Sequence, residues 1–190
     1  MQQYIKKYRD SLIDTLNQDT MNLIPGLANA IAEAWSGGST IYLCGNGGSA
    51  GNAIHLANDF IYGAGINNDK GIRVEGLPSN SAVITCLAND IGYENIYSEQ
   101  LRVKGNKGDI LIALSGSGNS PNIIKAIQQA NELEMKTFAI LGFDGGKCKE
   151  IVHHPIHFEV NDMQISEDLQ LIVGHICMQW LFDQKISFKK

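Results

Sequence analysis

Residues 40–49 read Thr40-Ile41-Tyr42-Leu43-Cys44-Gly45-Asn46-Gly47-Gly48-Ser49, an apolar segment that runs directly into a glycine-rich turn. The apolar part is typical of a buried β-strand, and a helical pattern follows over residues 49–62. A strand, a glycine turn and a helix in this order direct several backbone N–H groups and the positive end of the helix dipole at one place. The stretch therefore predicts a binding site for an anion such as phosphate, to which the Ser49 hydroxyl contributes.

Strand and helix patterns alternate along the rest of the chain. The strand candidates are residues 40–43, 82–85, 109–114, 137–141 and 157–160, and further helical patterns occupy residues 93–103, 121–133 and 165–185. Continuous apolar strands such as 110–114 are typical of a parallel sheet that is buried on both faces. The alternation predicts an α/β fold, a three-layer αβα sandwich around a doubly wound, mostly parallel five-stranded sheet.

The first part of the chain, residues 4–35, carries a helical pattern of its own. Apolar residues recur at threes and fours from Leu12 to Trp35, and Pro25-Gly26 is expected to interrupt or kink the run. We therefore divide the chain into an N-terminal helical arm, residues 1–36, and one globular unit, residues 37–190. The pattern leaves open whether the arm packs on a partner subunit or covers the sheet of its own chain.

Composition limits the classes of partner. With 190 residues, 44% of them hydrophobic, the chain is able to bury the core of one domain. A net charge of −5 argues against nucleic acid as the main partner, and no apolar run approaches the length of a membrane span or signal core.

The four cysteines, Cys44, Cys86, Cys148 and Cys177, lie far apart in the sequence. We expect no disulfides and a cytoplasmic location.

A second glycine-rich turn, Ser115-Gly116-Ser117-Gly118-Asn119-Ser120, follows the strand candidate 109–114. Its hydroxyls and exposed N–H groups suit phosphate without the help of Lys or Arg, and Pro121 suits the first turn of a helix. An ordinary Ser/Gly loop is the alternative. Its place at the carboxyl end of a strand, where doubly wound sheets bind ligands, favours a binding site. No Gly-Lys-Ser/Thr is present, so a Walker A loop is excluded.

Two pairs of titratable residues lie on helical segments. His55 and Asp59 are four residues apart and share a helix face. Glu167 and His175 are eight apart, which at ~100° per residue leaves them about 80° apart around the helix. Asp168 is closer still to the face of His175, so spacing does not choose between the two acids. Two histidines and two carboxylates suit a divalent ion such as zinc, or a general base and a general acid.

Together these motifs resemble the SIS (sugar isomerase) domain. The resemblance is carried by residues 45–49, His55, the stretch Asn89-Asp90-Ile91-Gly92-Tyr93, residues 115–120 and His175. Within that family the chain is similar to the phosphoheptose isomerases, which convert sedoheptulose 7-phosphate to a heptose 7-phosphate for surface polysaccharide such as lipopolysaccharide or capsule. Order, spacing and length agree over essentially the whole chain.

The resemblance implies roles for individual residues. Sugar phosphate is expected at Ser49, Ser115, Ser117 and Ser120, in a pocket also lined by Asn46, Gly47, Gly48, Asn89, Asp90, Gly116, Asp59 and Glu167. Asp59, at the position of the family's catalytic glutamate, and His175 are expected to form the catalytic pair. Some members hold Zn²⁺, and the matching ligands here are His55, Asp59, Glu167 and His175. The family forms homotetramers with active sites between subunits, which implies the same assembly for this chain.

Three departures from the family pattern bear on the substrate. Asp59 is one methylene shorter than glutamate, Glu167 replaces a glutamine and adds a negative charge, and residues 60–64 lack the usual arginine.

The expected reaction is the aldose–ketose isomerisation of sedoheptulose 7-phosphate to D-glycero-D-manno-heptose 7-phosphate through an enediolate. The alternatives are another phosphosugar of a capsule or glycan pathway, and a non-catalytic SIS adaptor that binds a protein partner. The acids and histidines at all four site positions argue against the adaptor.

Overall fold

The computed structural model, which describes residues 1–188, contains one sheet of five parallel strands within that range. The strands are β1 (Ile41–Cys44), β2 (Val74–Gly76), β3 (Ile110–Ser115), β4 (Lys136–Leu141) and β5 (His154–His157). Their spatial order is β2-β1-β3-β4-β5, so the chain reverses its direction of winding between β1 and β3. In doubly wound sheets this switch point opens a crevice at the carboxyl ends of the two strands.

Helices cover both faces of the sheet. They are α1 (Gln2–Leu16), α2 (Ile24–Gly37), α3 (Gly48–Asn58), α4 (Ser81–Ile91), α5 (Ser98–Lys104), α6 (Pro121–Glu132), α7 (Gly146–Ile151) and α8 (Met163–Asp183). One apolar core joins α2, α3 and α8 to the sheet, and a second joins α5, α6 and α7 to the opposite face. The predicted three-layer α/β sandwich is confirmed. Within residues 1–188, no helix combines the length and the apolar character that a membrane crossing requires.

Burial explains why β3 is apolar at almost every position. Ile110, Ile112 and Leu114 belong to the first core, whereas Leu111 and Ala113 belong to the second. Successive side chains of a strand point to opposite faces, so a central strand that is covered on both sides has no polar face. The uninterrupted apolar run in the sequence follows from this arrangement.

The predicted strand at residues 82–85 is wrong, because these residues lie inside α4. The Asn80 side chain accepts a hydrogen bond from the Val83 N–H at 3.2 Å and caps this helix at its start. The second strand is instead Val74–Gly76, which is only three residues long and lies at an edge of the sheet. A run of β-branched residues is strand-like in isolation, but here the cap and the packing of the helix outweigh that local preference.

Two further boundaries differ from the prediction. The last strand is His154–His157 rather than 157–160, and it includes Pro155, which an edge strand tolerates. The first helix ends at Leu16, and α2 begins at Ile24 with Pro25 in its first turn. Proline lacks an N–H that a first turn does not need, so it starts the second helix rather than kinking a continuous one.

The two N-terminal helices differ in their surroundings. In α2, Leu27, Ile31 and Trp35 are buried in the core, whereas α1 exposes Tyr4 and Ile5. The division at residue 36 stays a prediction, and it falls at the end of a helix that is packed in the core. Residues 189 and 190 of the predicted globular unit lie outside the described residues.

The connection between α1 and α2 is bound to the chain that leaves β5. The Gln18 side chain pairs with the Glu159 backbone, donating to its carbonyl at 3.2 Å and accepting from its N–H at 3.0 Å. Thr20 Oγ1 donates to the His157 carbonyl at 2.7 Å. These side chains satisfy backbone groups at a sheet edge that would otherwise face water or another strand.

Gly174 allows α8 to pack directly against α3. A Cβ at this position would lie 3.0 Å from Leu56 Cγ and closer still to the Leu56 methyl groups, and Leu56 is itself buried. We expect Gly174→Val to lower the free energy of unfolding by about 2 kcal/mol, because added volume in a packed core is strained. Urea denaturation measures this change.

The matched control is Gly51→Ala on α3, where a Cβ meets nothing within 4 Å. This substitution is expected to raise the free energy of unfolding by up to about 1 kcal/mol, because alanine restricts the unfolded chain. Equal effects of the two substitutions would show that the contact between α3 and α8 is not tightly packed.

Candidate active site

Both predicted anion-binding turns lie at the carboxyl edge of the sheet, the first after β1 and the second after β3. In the first turn, a Cβ at Gly45 would lie 2.6 Å from the Ser49 backbone carbon, and Gly47 has a φ of 54°. Both conditions favour glycine. Helix α3 begins at Gly48, so its free N–H groups face the same edge as the turn.

A pair of amides joins the first turn to the helix after the second. Asn46 Nδ2 donates to Asn122 Oδ1 at 2.9 Å, and Asn122 Nδ2 donates back to Asn46 Oδ1 at 2.7 Å. Tyr93 OH donates to the same Asn46 oxygen at 3.1 Å, and Asn122 is only 1% exposed. The Asn46 side chain thus connects the first turn to α6, the helix that follows the second turn.

The hydroxyls of the second turn are held as hydrogen-bond acceptors by its backbone. Ser115 Oγ accepts from the Gly118 N–H at 3.1 Å, and Ser117 Oγ accepts from the Asn119 N–H at 3.3 Å. A hydroxyl that accepts from the backbone still has its own hydrogen to donate. Gly118, with a φ of 65°, has no space for a side chain because the Gly145 carbonyl lies against it. The turn therefore presents O–H donors from a fixed backbone.

The remaining predicted residues of the pocket lie around these turns. Ser120 precedes α6 and Gly116 is buried within the second turn. Asn89 and Asp90 are exposed at the end of α4, where Asn89 Nδ2 donates to Asp90 Oδ1 at 2.8 Å. The short helical turn after α4 carries Tyr93, which binds Asn46 and so connects this segment to the first turn.

A compact group of His55, Asp59 and His175 lies farther along α3 and α8. The two Nε2 atoms are 2.9 Å apart, and Asp59 Oδ2 is 3.4 Å from His55 Nε2 and 3.5 Å from His175 Nε2. The Asp59 side chain is 19% exposed, and Asp59 begins a π-helical turn that ends at Gly63. Such turns are frequent at functional sites. The structure thus brings together three of the four residues that the resemblance gave as metal ligands.

The fourth residue, Glu167, is placed differently. Its carboxylate lies against Gly48, where a Cβ would collide with it, and it is outside the group of ligand atoms that lie within 4.8 Å of one another. Its neighbour Asp168 points toward α1, where Asp168 Oδ2 accepts from Tyr8 OH at 2.5 Å. Burial and this hydrogen bond raise the pKa of Tyr8 well above its ordinary value, so the phenol stays a donor.

The sequence assigned no role to some supporting residues, although Tyr93 belongs to the stretch that carries the family resemblance. They are Asn52, Tyr93, Asn122 and Gln170, which bind other site residues through their side chains. Gln170 is fully buried on the inner face of α8. A polar residue on an apolar helix face was the available signal, but the sequence does not identify its partner.

Comparisons with known proteins agree with this architecture. The sequence profile of the SIS domain matches residues 3–142. The phosphoheptose isomerase of Helicobacter pylori (strain P12) is 35% identical over 184 residues, which cover 95% of this chain and 91% of that protein.

Two solved structures of phosphoheptose isomerases share the fold, each with a TM-score of 0.87. The one from Francisella tularensis is 25% identical, with 97% of this chain and 96% of that chain covered. The one from Neisseria gonorrhoeae is 24% identical, with 95% and 97% covered. These matches confirm the resemblance drawn from the motifs, and the chain belongs to the SIS-domain family of phosphoheptose isomerases.

Proposed function

We propose that this chain converts sedoheptulose 7-phosphate to D-glycero-D-manno-heptose 7-phosphate by an aldose–ketose isomerisation. The observation that carries the proposal is the group of His55, Asp59 and His175, in which a carboxylate oxygen lies within 3.5 Å of two imidazole nitrogens. His55 and Asp59 lie along and at the end of α3, the helix that begins in the first donor-rich turn. A base, a proton carrier and a phosphate site are the parts that this reaction needs.

The phosphate is proposed to bind at the two turns. Ser115 and Ser117 have O–H groups to donate, and Ser49 and Ser120 lie in or before the first turns of α3 and α6. Helix N-termini and O–H groups hold an anion without a cationic side chain. This accounts for a phosphate site in a chain that has no arginine at residues 60–64.

At the other end of the sugar, Asp59 is proposed to act as the base. Its carboxylate takes the proton from C1, next to the C2 carbonyl, and the electron pair that remains forms a 1,2-enediolate. His175 moves a proton from O1 to O2, and return of the first proton to C2 completes the aldose. No atoms are gained or lost, so no redox cofactor is needed. His55, hydrogen-bonded to His175 through the two Nε2 atoms, is placed to hold the orientation of that imidazole.

The same three residues fit a divalent ion. Zinc bonds nitrogen at about 2.0 Å in a tetrahedral site, so neighbouring ligand atoms are separated by about 3.3 Å. The three separations here, 2.9, 3.4 and 3.5 Å, are close to that value. We infer that His55, Asp59 and His175 are able to hold Zn²⁺, which when bound would polarise the sugar carbonyl. Glu167 completes the set only if its side chain leaves Gly48. A tightly bound Asp59 is a poor base, and we give the base role priority.

We also infer that α1 is an assembly surface and that the chain forms the homotetramer of its family. Tyr4 is 74% exposed and Ile5 is 52% exposed, although both are large and apolar. Exposed apolar side chains on one helix are typical of protein interfaces. Tyr8 binds Asp168, the neighbour of Glu167, so this surface begins close to the proposed site.

A cytoplasmic location stays part of the proposal. None of the four cysteines, all within the described residues, forms a disulfide. Burial raises the pKa of the Cys148 and Cys177 thiols to about 12. Unpaired thiols are compatible with a reducing compartment.

Asp59→Asn is expected to lower turnover of sedoheptulose 7-phosphate at least about 100-fold, because a general base contributes that much or more. Binding of the substrate should be largely retained, since the phosphate turns are unchanged. Incubation in deuterium oxide followed by NMR measures both product and the deuterium incorporated at C2. The control is Asp183→Asn at the exposed end of α8, which should leave turnover unchanged.

Three other outcomes of this experiment are informative. Unchanged turnover in Asp59→Asn would exclude Asp59 as the base. A wild-type chain that is inactive on sedoheptulose 7-phosphate but active on another phosphosugar would change the substrate and keep the chemistry. Inactivity on a panel of phosphosugars would favour the adaptor.

If the three residues hold zinc in place of a free Asp59 base, the purified protein contains about one zinc per chain and His55→Gln loses most of it. Elemental analysis by mass spectrometry measures the metal directly, independently of turnover. Glu167→Ala is the matched variant, and it should retain the metal if three residues suffice. Loss of zinc in Glu167→Ala would make Glu167 a ligand, and equal metal content in all three proteins would remove the proposed site.

For the assembly surface, Ile5→Asp should reduce the sedimenting species from tetramer to smaller forms, because a charge would be buried in the interface. Analytical ultracentrifugation measures this change. Lys7→Asp, on the same helix and exposed, is the control for the introduced charge and should leave the assembly intact. An unchanged tetramer in Ile5→Asp would place the interface elsewhere.

A further inference from the structure

We infer that Gln170 is a positioning residue that fixes the direction in which the Ser49 hydroxyl donates its hydrogen. This inference rests on the proposed role of Ser49 in binding the phosphate. Gln170 lies on α8, between Glu167 and His175 in sequence, and its side chain is 0% exposed. It crosses to α3 and binds both Ser49 and Asn52.

A backbone carbonyl determines which groups donate and which accept in this hydrogen-bond network. Asn52 Nδ2 lies 3.0 Å from the Glu167 carbonyl oxygen, which is only able to accept a hydrogen bond. Asn52 must therefore turn its NH₂ group, not its oxygen, toward α8. The same Nδ2 lies 3.0 Å from Gln170 Oε1, so the oxygen of Gln170 faces Asn52.

The orientation of Gln170 follows, and with it that of Ser49. Because Oε1 faces Asn52, the Gln170 Nε2 group faces Ser49 Oγ, at 3.0 Å, and donates to it. An amide NH₂ is only a donor, so Ser49 Oγ is the acceptor in this bond. The Ser49 hydrogen cannot point at Gln170 and is left for another acceptor.

Within residues 1–188, Ser49 Oγ donates to no protein acceptor. A serine on a helix often donates to the carbonyl four residues earlier, which here is Gly45. That carbonyl instead accepts from Tyr97 OH. Ser49 is 4% exposed and lies in the first turn of α3, where free N–H groups also converge. Its hydroxyl is thereby set as a donor toward the phosphate site before any ligand arrives.

The test compares two substitutions of Gln170. Gln170→Glu keeps an acceptor for Asn52 but also accepts from Ser49, so it turns the hydroxyl away from the phosphate. Gln170→Met fills similar space and removes both the donor to Ser49 and the acceptor for Asn52. We expect KM for sedoheptulose 7-phosphate to rise about fivefold in Gln170→Met, which is the change in affinity that the loss of one hydrogen bond typically causes. The rise in KM should be larger in Gln170→Glu. The kcat should stay within about twofold in both variants, because the group of His55, Asp59 and His175 is intact.

A double-mutant cycle with Ser49→Ala separates the hydroxyl from the added charge. Affinity for inorganic phosphate, measured by titration calorimetry, is the readout, and it does not depend on turnover. If Gln170 acts through Ser49, Gln170→Met does not weaken phosphate binding further once Ser49 is alanine. Any loss that Gln170→Glu still causes in that background is the effect of its added charge. Circular dichroism and thermal melting establish which variants fold, and the cycle with Gln170→Met suffices if Gln170→Glu does not.

Each outcome has a definite meaning. Additive losses in the cycle of Ser49→Ala with Gln170→Met overturn the inference and leave the phosphate role of Ser49 standing. Unchanged phosphate affinity in Ser49→Ala overturns that role and the inference with it. A change in kcat with no change in KM or phosphate affinity also overturns it, because that pattern places Gln170 in the chemical step. Non-additive losses confined to KM and phosphate affinity support it, whatever sugar the enzyme turns over.

Discussion

The pairing of β1 with β3 is the constraint on which the site depends. The two strands run parallel in a fixed register, Ile41 beside Ile110 and Cys44 beside Ala113, so both end at the same edge of the sheet. Each then enters a glycine-rich turn, and the paired amides of Asn46 and Asn122 connect the first turn to the helix after the second. Two glycine-rich turns that are 70 residues apart in sequence thereby lie side by side at one edge of the sheet.

The contact between α3 and α8 brings together the titratable residues of the candidate site. Gly174 allows the helices to approach closely, and the network of Ser49, Asn52 and Gln170 fills the contact with oriented hydrogen bonds. His55 and Asp59 on one helix then meet His175 on the other. Among the described residues, no buried side-chain nitrogen or oxygen lacks a hydrogen-bond partner. A buried polar network that is fully satisfied specifies a single arrangement of the two helices.

The acids of α8 show what spacing alone does not resolve. Glu167 and Asp168 are both within reach of the face of His175 on a helical wheel, and the sequence leaves the choice open. In the structure, Asp168 turns to Tyr8 on α1, whereas the Glu167 carboxylate lies against Gly48. A helical wheel gives only the angle between side chains around one helix. The partner of each acid depends on the side chains and backbone of the neighbouring helices, here α1 and α3.

The sequence by itself determined the α/β class, four of the five strands at least in part, both glycine turns and the family, because these depend on local patterns of apolar residues and glycine. It did not determine β2, which is a short edge strand, or the helical state of residues 82–85, where tertiary packing and the Asn80 cap outweigh a strand-like composition. Only the tertiary structure decided which site residues meet. The distances between Asp59, His55 and His175, and the polarity set by Asn52 and Gln170, arise from contacts between helices that are more than 100 residues apart in the chain.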